Sequence, residues 1–308
     1  MTHRQARLGV VFLTATAALV LAATGVAQTP RPKVFRSGSL ELTYYEIGPR
    51  RGAPLVLLSG GPGFDSDYFW FGPAFHELGR TRWVLTYDQR GTGRSAPVGT
   101  AETVTIADMV ADLEALRVAL GAAQLDLLGH SWGGYLAMAY AATHPDHVAH
   151  LILVGSAAPK FSDTIFLFSQ VFPERDMNEP FARGRAANDP AIIKQALDIY
   201  TSMIFYSPEK GAAWRKLGAR LKFNHHQSGH LSRDLSRQDF TPRLATFRFP
   251  TLVTTGRYDM NVAPLVAYRI HRAIPGSRLE IFERSSHIPF YEEPTAFVRV
   301  LRAFLAIR

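Results

Sequence analysis

The chain has 308 residues, of which 47% are apolar and 19% are charged, a balance typical of a globular protein able to bury a large core. Its net charge is +8, yet the basic residues form no run and no nucleic-acid-binding motif occurs, which argues against a nucleic-acid partner. Cysteine is absent, which excludes disulfides and a lipid anchor on cysteine.

The first 27 residues have the pattern of a secretory signal peptide. A basic start is followed by an apolar stretch from Leu8 to Ala23 and by the small-residue sequence GVA, which ends at Ala27. A retained membrane anchor is the alternative, although the apolar stretch is marginal in length for a membrane span. We therefore expect residues 1–27 to be removed, which leaves an exported protein, periplasmic or secreted, with no stable membrane anchor.

Beyond the signal segment, short apolar runs alternate with helical patterns. The stretch from Leu40 to Tyr44 alternates as in a β-hairpin, and buried strands are predicted at the sequences PLVLL, WVLTY, LDLLG and HLILV. Between two of them, the apolar spacing predicts a helix that Thr103 or Thr105 caps and Gly121 ends. Buried strands that alternate with helices favour an α/β fold with a mostly parallel sheet covered on both faces.

The alternation stops at about residue 156 and resumes at about residue 240. Between these points the sequence has helical spacing and no convincing strand, and aromatic residues are frequent, as in the predicted helix that begins at DTIFLF. The sequence therefore predicts one α/β core in two parts, residues 28–155 and 241–308, interrupted by a helical insertion over residues 156–240.

One serine stands in the sequence Gly129-His130-Ser131-Trp132-Gly133, which matches the G-x-S-x-G pattern. It lies between the apolar run LDLL and the helical sequence YLAMAY, so a strand must turn sharply into a helix here. Glycines two residues to either side leave room for such a turn, which exposes the hydroxyl. We interpret Ser131 as a nucleophile; the rival interpretation is a glycine-rich turn with a structural serine.

A serine hydroxyl needs a base at neutral pH, and the base needs a carboxylate to orient it. Downstream, the apolar strand TLVTTG leads into a loop that ends at Asp259, and the strand LEIF leads into a loop that carries His287. Parallel strands would bring both loops to the sheet edge that holds Ser131. We therefore predict Ser131, Asp259 and His287 as nucleophile, acid and base.

The other histidines are predicted to bind no metal. Three follow the helix after Ser131 and are interpreted as surface or packing residues: His144, His147 and His150. Three more have a spacing that suits a metal but lack a nearby acidic partner: His225, His226 and His230. No metal ion or organic cofactor is therefore expected.

Acyl transfer also needs hydrogen-bond donors for an oxyanion. The backbone N–H of Trp132, next after the nucleophile, is one candidate, and the glycine-rich loop from Ser59 to Gly63 supplies the other. Within that loop we choose Gly61 first and Gly60 second; the alternative is a plain Gly-Pro turn. The later loop DQRGTGRS is expected to hold the oxyanion loop in place through its charges rather than to do chemistry.

Five stretches, GGPG, YDQRGTGRS, GHSWGG, GRYD and HIPFYEEP, occur in this order and resemble the proline iminopeptidase group of the α/β-hydrolase superfamily. The resemblance runs from about Leu40 to the C-terminus. It implies an α/β-hydrolase fold whose inserted helical cap is residues 156–240. It also implies a catalytic triad and two oxyanion donors at the residues chosen above: Ser131, Asp259 and His287, with Gly61 and Trp132.

The sequence departs from that group near the substrate. Ser59 replaces the usual first histidine of the glycine motif, and Phe223 stands where the resemblance implies a glutamate that binds the substrate amine. Arg215 follows Trp214 where an acid is expected. An ammonium group buried without a partner charge is costly, so these departures weaken the case for cleavage of N-terminal proline. Four other acidic residues could substitute: Glu174, Asp176, Glu179 and Asp234.

Three hypotheses remain for the function. The first is a serine hydrolase of the iminopeptidase type, which cleaves a prolyl or aminoacyl amide. The second keeps the mechanism but acts on an ester or lactone with a neutral apolar acyl group. The third is a binding protein without catalysis on the same fold. The expected partner is a small-molecule or short-peptide substrate, and the sequence leaves the oligomeric state open.

Overall fold

The computed structural model describes residues 30–98 and 103–307. The predicted signal peptide over residues 1–27 lies outside the described residues. The strands of the described part are β1 Lys33–Ser37, β2 Leu40–Ile47, β3 Leu55–Leu58, β4 Val84–Tyr87, β5 Leu125–His130, β6 Val148–Val154, β7 Thr251–Gly256 and β8 Arg278–Phe282. They form one sheet in the order β1-β2-β4-β3-β5-β6-β7-β8. Strand β2 is antiparallel to β1 and β4, and all later pairs are parallel.

Helices cover the sheet and form the insertion. Those before β7 are α1 Pro73–Gly79, α2 Ile106–Ala119, α3 Trp132–Thr143, α4 Phe168–Val171, α5 Asn178–Ala187, α6 Pro190–Thr201, α7 Pro208–Gly218, α8 Gln227–Leu235 and α9 Thr241–Leu244. Those after β7 are α10 Pro264–Ala273, α11 Pro289–Glu292 and α12 Pro294–Phe304. The predicted α/β fold with a mostly parallel sheet is thereby confirmed.

The apolar strands β3, β4, β5 and β7 are buried along their whole length because both sheet faces are covered. Alternate side chains point to opposite faces, so Val56 packs with α2, α3 and α10, whereas Leu55 packs with α1 and α12. An apolar layer therefore packs against each face of the sheet, and polar groups can be placed in the loops at the carboxyl ends of the strands.

Helix α2 begins where the sequence predicts. The Thr105 hydroxyl accepts from the Asp108 backbone N–H at 3.1 Å, and the Asp108 carboxylate accepts from the Thr105 backbone N–H at 2.9 Å. This reciprocal pair satisfies two donors that the helix cannot pair itself. Thr105, rather than Thr103, is therefore the cap.

The chain between β6 and β7, all of which the structure describes, forms helices α4 to α9 and no strand. One predicted helix is largely wrong: residues 163–167 are not α-helical, and only the short α4 follows them. The Leu167 N–H donates to the Met260 carbonyl at 2.9 Å, and the Ile165 carbonyl accepts from the Ala263 N–H at 2.9 Å. Contacts with the loop after β7 therefore replace the helical hydrogen bonds.

Across residues 30–98 and 103–307, the structure contains no helix with the length and apolar character that a membrane span requires.

Candidate active site

Ser131 lies at the turn between β5 and α3. Its φ is 58° and its ψ is −120°, a left-handed conformation that is rare for a residue with a side chain. A Cβ on Gly129 would come within 2.3 Å of the Gly133 carbonyl oxygen, and one on Gly133 would come within 2.0 Å of the Leu58 carbonyl oxygen. Both flanking glycines are therefore required by the tight packing of this turn.

Asp259 and His287 follow β7 and β8, and their side chains meet. His287 Nδ1 lies 2.8 Å from Asp259 Oδ2, and both side chains are almost fully buried. The other carboxylate oxygen of Asp259 accepts backbone N–H groups from Asn261 at 3.0 Å and Val262 at 2.9 Å. This arrangement fixes the carboxylate, which in turn orients the imidazole with Nδ1 as its donor.

Ser131 and His287 line the same cavity. Among the hydrogen bonds of the described residues, none joins the Ser131 hydroxyl to His287; instead Asn261 Nδ2 lies 2.8 Å from His287 Nε2. The same amide nitrogen donates to the Tyr200 hydroxyl at 3.1 Å. Sequence reasoning missed Asn261, although its place two residues after Asp259 on the same loop was a usable signal.

Residues 59–66, which begin with the glycine-rich stretch and are called the oxyanion loop below, face Ser131 from the end of β3. Gly60 donates its backbone N–H to the Tyr68 hydroxyl at 2.7 Å, so this donor is occupied. Gly61 has a φ of 124°, and a Cβ there would come within 2.5 Å of the Gly63 nitrogen. Trp132 is the first residue of α3, so its N–H has no partner within the helix. Gly61 and Trp132 therefore remain the candidate donors for an oxyanion.

A buried chain of hydrogen bonds connects this loop to the His287 backbone. His130 Nε2 donates to the His287 carbonyl at 3.0 Å, so His130 Nδ1 accepts from the Tyr68 hydroxyl at 2.9 Å. The Tyr68 oxygen accepts from Gly60, as described above. Burial, together with the nearby His287 ring, holds the pKa of His130 well below its ordinary value, so the ring is neutral.

The loop DQRGTGRS supports the oxyanion loop with one charge and one amide. Asp88 Oδ1 accepts from both the N–H and the hydroxyl of Ser66, at 3.0 and 2.9 Å. Gln89 Nε2 donates to the Ser59 carbonyl at 3.0 Å, and Gln89 Oε1 accepts from the Trp132 indole at 3.0 Å. Within the described residues, Arg90 does not contact the oxyanion loop through its charge; its guanidinium instead pairs with Asp112 of α2 at 2.7 Å.

The inserted segment contacts the oxyanion loop directly. The Asp65 carboxylate accepts from the Lys222 N–H at 2.8 Å, and the Asp65 N–H donates to the Lys222 carbonyl at 3.1 Å. Phe64 and Phe223 form an isolated antiparallel bridge, with ring centroids 4.6 Å apart. Burial raises the pKa of Asp65 to about 7. The position of this loop therefore depends on the insertion.

The loop that carries His287 is tied to the insertion as well. The buried Glu292 carboxylate accepts N–H groups from Tyr206 at 2.8 Å, Ser207 at 3.1 Å and Ser286 at 2.7 Å. Burial raises the pKa of Glu292 despite these three donors. The segment between α6 and α7 is thus held against the loop that carries His287.

Two cavities meet at Ser131. The first cavity, of about 390 Å³, is lined among others by Tyr68, Trp214, His287 and the polar side chains Lys194, Asp198, Arg215 and His225. The second cavity, of about 450 Å³, is lined among others by Trp132, Asn261, Phe161, Phe166, Phe168, Met177 and Phe181. Phe223, where the resemblance implies a glutamate, lines both.

None of the four acidic residues considered as amine anchors lines either cavity in the described structure. Glu174 and Glu179 lie at the surface beside arginines, and Asp234 accepts from the N-terminus of α2. Asp198 is the one carboxylate among the described lining residues of the two cavities. Its side chain is 53% exposed and pairs with Lys194 at 2.6 Å.

One glutamate and two histidines lie close enough together to suit a metal ion. Glu114, His144 and His147 bring ligand atoms within 4.8 Å of one another, and within the described residues this is the group found. Glu114, however, already accepts from Arg117 through both oxygens, at 2.6 and 2.9 Å, and from the Tyr140 hydroxyl at 2.7 Å. The Arg117 guanidinium thus already pairs with the carboxylate that a metal ion would need as a ligand.

Comparison with known proteins identifies the family. The model of the α/β hydrolase fold family matches residues 53–294. Proline iminopeptidases of Lactiplantibacillus plantarum and Lactobacillus crispatus are 32% and 31% identical over 296 and 283 residues. The alignments cover 86% and 85% of this chain and 96% and 94% of those relatives.

Solved structures give the same fold. An esterase from a Rhodococcus species has a TM-score of 0.69 at 26% identity, covering 91% of this chain and 99% of that one. An enol-lactonase from Burkholderia xenovorans has a TM-score of 0.67 at 25% identity, covering 89% of this chain and all of that one. This chain therefore belongs to the α/β-hydrolase family, and it is a hydrolase similar to the proline iminopeptidases.

Proposed function

We propose that the protein is a serine hydrolase that cleaves a carboxylic ester or amide through an acyl-enzyme on Ser131. The observation that carries the proposal is the buried contact of Asp259 with His287 at 2.8 Å, beside a cavity that both His287 and Ser131 line. A hydroxyl on a strained turn, an imidazole and an orienting carboxylate at one sheet edge are the groups that acyl transfer requires.

In this mechanism, Ser131 Oγ gives its proton to His287 Nε2 and attacks the carbonyl carbon of the substrate. The resulting oxyanion accepts from the backbone N–H groups of Gly61 and Trp132. The bond to the leaving group then breaks, and the leaving group takes the proton from His287. Water next gives a proton to His287 and attacks the acyl carbon, and Ser131 departs with that proton. Asp259 keeps the imidazole oriented and stabilises its charged form.

The curated relatives support a prolyl or aminoacyl group as the acyl part. Such a group carries an ammonium, which requires a carboxylate in a closed site. Asp198 is the candidate for this partner, yet it lies half-exposed and pairs with Lys194. The aminoacyl hypothesis is therefore supported by the similarity to proline iminopeptidases more than by the residues that line the cavities.

A neutral acyl group of an ester or lactone is the second candidate, and the cavity lining favours it. Phe223 lines both cavities, and the second cavity has aromatic walls next to Ser131. Aromatic walls stabilise an apolar acyl group and offer an ammonium no partner charge. We therefore favour hydrolysis of an ester with a neutral acyl group.

Two esters of one phenol test this choice, because prolyl and cyclopentanecarbonyl groups share a ring size and differ in the charged amine. We expect kcat/KM, divided by each ester's spontaneous hydrolysis rate, to favour the cyclopentanecarbonyl ester by about tenfold or more, which corresponds to about 1.4 kcal/mol. Ser131→Ala should abolish both activities. A preference for the prolyl ester that Asp198→Asn removes would instead select the aminoacyl substrate.

We also propose that the protein is exported. This proposal is supported by the signal-like sequence of residues 1–27 alone.

A further inference from the structure

We propose that the two cavities divide the substrate, so that the second cavity holds the acyl group and the first cavity holds the leaving group. This assignment rests on the proposed function and adds a substrate class to it. The class is an ester or amide that joins a bulky apolar acyl group to a polar leaving group.

The cavities meet where the reacting carbonyl must lie. Both are lined by Gly61, Phe64, Ser131, Leu197, Tyr200 and Phe223. A carbonyl carbon bound to Ser131 Oγ, with its oxygen at Gly61, has two substituents left. Because Ser131 lines both cavities, one substituent can extend into each.

The position of His287 decides which substituent goes where. His287 lines the first cavity, whereas Asn261 lines the second. The Asn261 amide, which lines the second cavity, lies 2.8 Å from His287 Nε2, whereas the imidazole itself is exposed to the first cavity alone of the two. A leaving group must take its proton from Nε2 and therefore approaches from the first cavity. The acyl group, which stays on Ser131, is left with the second.

The second cavity has the chemistry of an acyl pocket. Its walls include Phe161, Phe166, Phe168, Met177, Phe181 and Val262. Of the described residues that line it, none is Asp, Glu, Lys, Arg or His. Its volume of about 450 Å³ suits an aryl-alkanoyl or a medium-length fatty acyl group. A charged acyl group would lose its hydration there without gaining a partner.

The first cavity is lined by charged and polar groups as well. Lys194, Asp198, Arg215 and His225 line it along with the apolar residues near Ser131. Lys194, Asp198 and Arg215 are exposed, so a group that reaches them keeps part of its hydration. These contacts fit a polar alcohol or amine better than an aliphatic chain.

Two exposed lining positions give a matched pair of variants. Ser169→Trp narrows the second cavity and Ala219→Trp narrows the first, and neither residue belongs to the catalytic machinery. Acylation and deacylation rates are measured by rapid mixing with acetyl and octanoyl esters of one phenol, and with acetyl esters of a small and a bulky phenol.

Deacylation starts from an enzyme that carries only the acyl group, so it reports on the acyl pocket alone. We expect Ser169→Trp to lower the octanoyl-to-acetyl ratio of acylation and deacylation rates by about tenfold or more. Ala219→Trp should leave both deacylation rates unchanged and lower acylation by the bulky phenol ester.

The opposite pattern, in which Ala219→Trp changes chain-length preference in deacylation, overturns the assignment while leaving the proposed function intact. Unchanged ratios in Ser169→Trp overturn it as well. A wild-type protein that forms no acyl-enzyme overturns the proposed function, and the assignment with it.

Discussion

At the scale of single residues, His287 is held by hydrogen bonds at both ring nitrogens. Asp259 Oδ2 lies 2.8 Å from Nδ1, and Asn261 Nδ2 lies 2.8 Å from Nε2. In the proposed mechanism Nε2 takes the proton of Ser131, so the amide and the hydroxyl compete for this nitrogen. The Tyr200 hydroxyl accepts from the same amide at 3.1 Å. When the Asn261 amide leaves the imidazole, it therefore still has a hydrogen-bond partner. His287 Nε2 is therefore capped by the Asn261 amide in this structure.

Removing the cap should expose the base. In Asn261→Ala, the lone pair of His287 Nε2 becomes available to the Ser131 hydroxyl. Since a hydrogen bond contributes about 0.5–1.5 kcal/mol, we expect a fluorophosphonate to label Ser131 about 2- to 13-fold faster than in the wild type. The second-order labelling rate of the free enzyme is the measurement.

Asn178→Ala is the matched control, because Asn178 also lines the second cavity but, among the hydrogen bonds of the described residues, forms none to His287. It should label at the wild-type rate. Slower labelling of Asn261→Ala than of this control would mean that the amide supports the base instead of competing for it.

At the scale of elements, the site depends on contacts between the insertion and the loops of the core. The oxyanion loop pairs with the insertion through Asp65 and Lys222, and the loop of His287 is held by Glu292. Asp65 is 5% exposed, and burial raises its pKa from 3.8 to about 7. The buried Asp65 carboxyl thus holds the oxyanion loop against the insertion, but its ionisation lowers the stability of the folded protein.

The raised pKa of Asp65 predicts a pH dependence of stability. Folding favours the protonated carboxyl, so this stabilisation is present below about pH 4 and is lost as the pH rises through about 7. Asp65→Asn, which keeps an oxygen for the Lys222 N–H, should therefore be more stable than the wild type above pH 7, by roughly 2–4 kcal/mol. The difference should shrink steadily between pH 7 and pH 4.

Urea unfolding from pH 4 to pH 8 measures this difference. Asp163→Asn, which removes an exposed carboxyl, is the control and should follow the wild type. A difference between Asp65→Asn and the wild type that stays constant across this range would contradict the account.

At the scale of the whole molecule, the sheet and its loops were predictable because local patterns mark them. Apolar runs end just before Ser131, and the loops after two later runs carry Asp259 and His287. Parallel strands then bring those loops to one edge. The glycines beside Ser131 were equally readable, since a side chain at either position would meet the backbone.

Other parts of the site depend on contacts between distant segments, which a local pattern does not contain. Tyr68 matters because it meets His130, and Asn261 matters because it reaches a base on another loop. The stretch at residues 163–167 reads as a helix by its spacing, but the loop after β7 takes its backbone hydrogen bonds. The cavity walls beside Ser131 are likewise drawn from several helices.

Fluorophosphonate labelling followed by intact-mass analysis and peptide mapping tests the central role of Ser131 most directly. We predict one equivalent of label on Ser131, none on Ser131→Ala, and labelling slowed about a hundredfold or more in His287→Ala. Label on another residue, no label at all, or an unchanged rate in His287→Ala would contradict the assignment of these side chains as nucleophile and base.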